Sequence, residues 1–270
     1  MHSVLQRQGL REYMEDVVVI EESVGISNSN GYGADGSYDL YAVFDGHGGK
    51  NISEMVGKIF PVILKKYIVS GNGNIGDALG KSFAHVAEIV GSVPHSKREG
   101  TTALVMVKYQ NMVWVANAGD CRAILKYFDK TRYASKQITK DHKPNDADEE
   151  QRIKQSGGFI SQDDFGTWRV GGNLAVSRSF GDLYLSPWVT WEPIIYSFRI
   201  SSDMRAVIIA SDGIWDTISN DMAVDIAEQV IRQNMSYDKH TVLDKVVETI
   251  ANEAQRRGSG DNISIIFVIV

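Results

Sequence analysis

Five aspartates stand where an apolar run meets a turn, and this repeated junction restricts the fold more than any other feature of the chain. Tyr41 to Phe44 ends in Asp45-Gly46-His47-Gly48-Gly49, and Met112 to Ala118 ends in Gly119-Asp120. Ala206 to Ala210 runs into Ser211-Asp212-Gly213, with Asp216 close behind, and Gly260-Asp261-Asn262 opens the last run, Ile263 to Val270. Short apolar runs bounded by glycine read as buried strands. Strand ends can aim carboxylates at one point, and converging carboxylates repel. Two unit charges about 4 Å apart interact by roughly 4 kcal/mol at an effective dielectric of 20. A cation must offset such a cluster, and an all-oxygen donor set suits Mg²⁺, Mn²⁺ or Ca²⁺. The pattern points to a metal site and to metal-assisted chemistry.

The remaining runs supply a scaffold. Strands are predicted at Val17 to Ile20, Tyr38 to Phe44, Thr102 to Val107, Met112 to Ala118, Arg122 to Phe128, Trp168 to Val176, Ala206 to Ala210 and Ile263 to Val270. Ser23 to Gly36 reads as a loop rich in Ser, Asn and Gly. Helical spacing of apolar residues marks Asn51 to Ile68, which Pro61 is expected to bend or break, and Ile75 to Val90. A charged helix is expected from Asn145 to Gln155, stopped by Gly157-Gly158. Two amphipathic helices follow, one lined by Met222, Ala223, Ile226, Ala227, Val230 and Ile231, the other by Val242, Leu243, Val246, Val247, Ile250 and Ala254. Strands cluster mid-chain and helices come in pairs. Burying both kinds of apolar face calls for stacked sheets with helices outside.

Composition narrows the function. The 270 residues are 43% hydrophobic and carry a formal charge of −6. A basic face for nucleic acid or an anionic membrane is therefore not expected. Cys121 is the single cysteine, so no internal disulfide can form, which fits a reducing compartment. It reads as a packing residue. No apolar run reaches the length of a membrane span, and Met1 to Arg11 lacks a signal-peptide core. A soluble protein of the cytoplasm, the nucleus or both is expected, as a monomer and with no regulatory tail.

Several short motifs are ambiguous alone. Arg11 with Glu12, Glu15 and Asp16 is either a surface ion-pair cluster or an anion clamp beside a metal. His47 is either an exposed loop residue or a general acid. Asp141-His142 reads as a turn closed by Pro144.

Together these blocks resemble the protein phosphatase 2C family of metal-dependent Ser/Thr phosphatases, over essentially the whole chain. In order they are Arg11-x-x-Met14-Glu15-Asp16, Val43 to Gly49, Gly100-Thr101-Thr102-Ala103 and Ala116 to Ala123. Asp141-His142-Lys143-Pro144, Gly157-Gly158, Leu174 to Asp182, Glu192-Pro193, Ala210 to Asp216 and Asp261-Asn262 complete the series. Any one block is weak; all in this order is a strong signal.

The resemblance implies an α+β fold of two stacked antiparallel sheets with helix pairs on both outer faces. It implies one catalytic domain, 1–270, with a substrate-selecting flap at about 145–172. By position, Asp45 bridges two Mg²⁺ or Mn²⁺ ions. The Gly46 carbonyl and, through water, Glu15 serve one ion, Asp212 and Asp261 the other, and Asp16 is grouped with these metal carboxylates. Asp120 and Asp216 match a weaker third-metal site found in some members. Arg11 binds the phosphate, His47 protonates the leaving oxygen, and Asn262 is a hydrogen-bonding partner. A metal-activated hydroxide attacks, so no nucleophilic cysteine or serine is needed. The substrates are phosphoproteins.

Two features depart from the family pattern. Val17-Val18 stands where many members have Ala-His, so a second histidine is missing, and the stretch from Asp182 to Glu192 is short. The competing readings are a phosphoprotein-binding pseudophosphatase, which would lack metal carboxylates, and a metal-dependent nuclease, which the acidic balance disfavours.

Overall fold

A computed structural model describes residues 1–26, 36–71 and 73–270. Two five-stranded antiparallel sheets stack face to face. The first runs His2–Arg7, Ile263–Ile269, Met204–Ala210, Arg122–Phe128, Tyr133–Gln137. The second runs Ile194–Arg199, Met112–Ala118, Ala103–Tyr109, Gly36–Phe44, Val17–Ile26.

The period of two in a strand builds the layers. Val207 and Ile209 face inward with Tyr41, Val43, Leu104, Met106 and Ile266, forming the core between the sheets. Their neighbours Ile208 and Ala210 face outward onto helices Asn220–Gln233 and Lys239–Arg256. On the other side Ala42 and Phe44 face helices Asn51–Ser70 and Ile75–Gly91. There Phe60 meets Phe83 edge-on at 5.2 Å, and Phe83 stacks on Phe180 at 5.3 Å. Both sheets thus bury both faces, as the stacked α+β arrangement requires. Three of these helices start at side-chain caps, where Asn74, Ser219 and Asp238 each accept a first-turn amide.

Three strands of the two large sheets lie outside the sequence expectation: His2–Arg7, Tyr133–Gln137 and Ile194–Arg199. The strand expected from Trp168 to Val176 ends at Val170. Gly171 and Gly172 adopt φ of 58° and 74°, which turns the chain back so that Leu174 bridges Val170. Pro61 does not break its helix, which runs on to Ser70 with Phe60, Ile63 and Leu64 buried around it. Of the expected 23–36 loop, Ser23–Ile26 continues a strand and residues 27–35 lie outside the described residues. Among the described residues no helix is long and apolar enough to cross a membrane.

The 145–172 segment forms helix Ala147–Gln155 and a hairpin, Ile160–Gln162 with Trp168–Val170. It packs on the stretch that follows it through a small core of Ile153, Val170, Leu185 and Val189. Glu149 fastens this unit. Its carboxylate is 2% exposed and accepts from Arg178 at 2.5 Å, Arg152 at 3.0 Å and Ser177 at 2.7 Å. Burial pushes the Glu149 carboxyl up, but the bonds from Arg178 and Ser177 outweigh it and hold the pKa at about 2. A depressed carboxylate adds stability above its unfolded pKa and loses it as pH falls through the folded one. Glu149→Gln is therefore expected to cost about 3 kcal/mol at pH 7, because two half-buried arginines lose their buried counter-charge. Urea denaturation should show the gap to wild type closing as pH falls from about 4 toward 2. A gap independent of pH would mean that packing, not charge, sets the cost.

Candidate metal centre

The junctions noted in the sequence meet at one end of the stacked sheets. Asp45 and Asp120 follow strands of the second sheet, Gly36–Phe44 and Met112–Ala118. Asp212 follows Met204–Ala210 of the first sheet and starts a one-turn helix, and Asp261 precedes Ile263–Ile269. Each sheet delivers two carboxylates. Asp45, Asp120 and Asp212 each place one oxygen within 4.8 Å of the others.

These carboxylates line a cavity of about 290 Å³, together with Arg11, Glu15, Gly46, His47, Arg169 and Asp261. A larger groove of about 620 Å³ lies between helices Asn220–Gln233 and Lys239–Arg256, but it contains none of these carboxylates. Burial, and after it the charges of Asp16, Asp212 and Asp120, pushes the Asp45 carboxyl well above the usual range. Burial and then Asp120 do the same to Asp212, against the pull of Lys143. Burial also raises Asp216. Unfavourable carboxylate ionisation in an all-oxygen cluster is what a divalent cation relieves, so the donor set fits Mg²⁺ or Mn²⁺.

Asp16 sits behind the cluster rather than in the cavity wall. It is 4% exposed, and its Oδ2 accepts from Ser211 at 3.0 Å. Its Oδ1 is buried with no hydrogen-bond partner among the described residues, and burial lifts its pKa to about 6. Asp216 caps the one-turn helix and is also absent from the cavity wall.

The N-terminal loop is stitched to the last strand by Asn262. Its Oδ1 accepts from the Glu15 amide at 2.7 Å, and its Nδ2 donates to the carbonyls of Gln8 and Tyr13 at 2.7 and 3.0 Å. This brings Arg11 beside Asp261, with Nη2 to Oδ2 at 2.7 Å, while the guanidinium stays 57% exposed. The cation is tethered at one edge and open to an incoming anion at the other.

His47 is placed by a small three-stranded sheet of Gly46–His47, Gly100–Thr101 and Phe180–Gly181. Its Nε2 lies 2.6 Å from Oδ2 of Asp182, a buried carboxylate that also accepts from Ser179 at 2.6 Å. A Cβ on Gly100 would sit 2.1 Å from that oxygen and 2.5 Å from that nitrogen, so the pair forms only because residue 100 is glycine. Burial pulls the His47 pKa down, but Asp182 outweighs it and the imidazole stands above its ordinary value.

Three site residues escaped the sequence reading: Asp182 behind His47, Arg169 in the cavity wall and Lys143 against Asp120. The sequence places Asp182 and Lys143 inside recognised blocks but does not indicate their partners. Arg169 is held by Asp163 at 2.7 Å and by the Asn173 carbonyl at 3.0 Å. Asp141-His142 is not a plain surface turn. Asp141 pairs with Arg122 at 2.6 Å, and His142 is buried against Gly119, where burial lowers its pKa to about 4. Cys121 is buried 3.2 Å from the Thr102 hydroxyl, and burial pushes its thiol up, as suits a packing residue.

A family model described as Protein phosphatase 2C matches residues 2–263. "Probable protein phosphatase 2C 69" of Arabidopsis thaliana is 36% identical over 232 residues, covering 85% of this chain and 60% of the relative. "Probable protein phosphatase 2C 32" of Oryza sativa subsp. japonica is also 36% identical, covering 87% of this chain and 59% of the relative. The chain thus spans about three fifths of the length of these relatives. Among solved structures, a C. elegans sex determining protein superposes with a TM-score of 0.84 at 26% identity, covering 100% of this chain and 64% of that one. A serine-threonine phosphatase 2C from Toxoplasma gondii shares the fold, with a TM-score of 0.74 at 20% identity, covering 99% of this chain and 94% of that one.

Proposed function

The chain belongs to the protein phosphatase 2C family, and from that premise we propose that it is an active Mg²⁺- or Mn²⁺-dependent phosphatase acting on phosphoserine and phosphothreonine in proteins. The observation that carries this reading is the convergence of Asp45, Asp120 and Asp212 in a cavity that Arg11 and His47 also line. Asp45, Asp212, Asp261 and the Gly46 carbonyl would hold two ions, with Glu15 and Asp16 in support. Asp120 and Asp216 would serve a weaker third. When bound, the ions supply an activated water as nucleophile and offset phosphate charge.

The chain's own residues do the rest. The free edge of Arg11 takes two phosphate oxygens and orients the ester, since a guanidinium fork matches their spacing. Asp182 accepts from His47 Nε2 and favours the imidazolium, whose second proton, on Nδ1, passes to the departing Ser or Thr oxygen and leaves the ring neutral. Leu174, Ala175 and Val176 line the cavity next to Arg169 of the 145–172 segment.

Arg11→Ala is expected to lower kcat/KM by about 10²-fold or more, a loss typical of removing one charge-stabilising donor. Arg11→Lys should recover part of it, because the charge returns without the fork. Wild-type kinetics for Arg11→Ala would place the phosphate elsewhere. The function itself is tested by turnover of a phosphothreonine-peptide library with Mn²⁺ and with EDTA. Peptide binding without turnover at saturating Mn²⁺ would identify a pseudophosphatase instead.

A further inference from the structure

Lys143 carries a positive charge into the side of the cluster assigned to the third ion. The backbone around it is fixed from both sides. Asp141 takes a forked pair from Arg122, Nε at 3.0 Å and Nη2 at 2.6 Å, and the His142 amide donates to the Gly119 carbonyl at 2.9 Å. The next residue is thereby aimed at the cluster. Its Nζ donates to Asp120 Oδ2 and lies 3.8 Å from Asp212 Oδ2, and the charge of Asp216 also acts on it. Burial disfavours the ammonium, but these three carboxylates outweigh it and hold its pKa above the usual lysine value.

An ammonium and a divalent ion held on one carboxylate oxygen lie a few ångströms apart and repel, so each weakens the other's hold. Asp120 is 2% exposed, so it has little freedom to turn an alternative oxygen outward. The lysine does have that freedom: its side chain is 34% exposed and flexible, with a way out to solvent.

We propose that Lys143 is a resident cation of the third-ion place. It offsets part of the negative charge of Asp120, Asp212 and Asp216 when two ions are bound, and it must swing out before a third can enter. The third ion is then weak and exchangeable because it competes with a tethered charge, not because its carboxylates are poor ligands. This inference rests on the two-ion reading above.

The test counts ions rather than turnover. Metal-free wild type, Lys143→Met, Lys143→Gln and Lys143→Arg are titrated with Mn²⁺ by calorimetry, and bound ions are counted by equilibrium dialysis. Two tight ions are expected in all four proteins. The third should bind at least about tenfold tighter in Lys143→Met and Lys143→Gln, since a unit charge a few ångströms away is removed. In Lys143→Arg, which keeps the charge, it should stay as weak as in wild type. Melting gives a second readout: both neutral variants should melt below wild type in EDTA, and the gap should close as the third ion fills. A third ion bound no more tightly in the neutral variants overturns the proposal, as does loss of a tight ion in either of them. Absence of tight ions in wild type overturns the two-ion reading instead.

Discussion

Asp45→Asn is expected to abolish hydrolysis while making the metal-free protein harder to melt. The two effects have one origin. Asp45 is a carboxylate that burial and its neighbours Asp16, Asp212 and Asp120 make reluctant to ionise. An amide of the same shape removes one of several repelling charges, worth about 1 kcal/mol or more at separations of this order. It also offers a donor to Asp16, whose Oδ1 is buried without a partner among the described residues. Function moves the other way. Without the charge the cations are held poorly, and activity should fall at least about 10³-fold. The wild type should gain about 2.7 kcal/mol from Mn²⁺ at a hundredfold excess over its dissociation constant, and Asp45→Asn much less. Melting temperatures in EDTA and in Mn²⁺, with peptide turnover, check all three statements. A variant that melts lower in EDTA would show that the Asp45 charge is already neutralised within the chain.

The parts of the fold legible in the sequence are those whose burial is periodic. Strands buried on both faces, such as Ala206 to Ala210 and Met112 to Ala118, and helices with one apolar stripe fell close to their expected limits. The three unforeseen strands of the two large sheets all lie at sheet edges, where a ladder to one neighbour suffices and side chains need not alternate. His2–Arg7 inverts the usual pattern, with Ser3 buried on Asp244 at 2.6 Å and Val4 42% exposed. Pro61 does not break its helix because tertiary packing on that helix outweighs a local propensity.

The site divides along a similar line. Carboxylates at strand ends advertise themselves, because chain direction alone brings Asp45, Asp120 and Asp212 to one edge of the stack. Partnerships across the fold carry no such mark. Asp182 reaches His47 across 135 residues of sequence, and Lys143 reaches Asp120 only because Arg122 and Gly119 hold the segment before it. These depend on three-dimensional register, which spacing in one sequence does not encode.

His47→Gln should slow phosphothreonine-peptide hydrolysis by about 10²-fold or more, within the usual range for acid–base catalysis. It should slow p-nitrophenyl phosphate hydrolysis far less. A general acid matters in proportion to how badly the leaving group needs a proton, and nitrophenolate departs readily where a threonine alkoxide does not. The Asp182 carboxylate, bonded to Nε2 and oriented by Ser179, favours the protonated imidazole that this role demands. Asp182→Asn should therefore show the same substrate selectivity with a smaller loss, since the ring keeps its place but loses its counter-charge. The competing account is that His47 only shapes the glycine-rich turn after Asp45. In that case His47→Gln would weaken Mn²⁺ binding, and both substrates would suffer alike. Rates on the two substrates at saturating Mn²⁺ separate the accounts, and equal losses would remove His47 from the proton transfer.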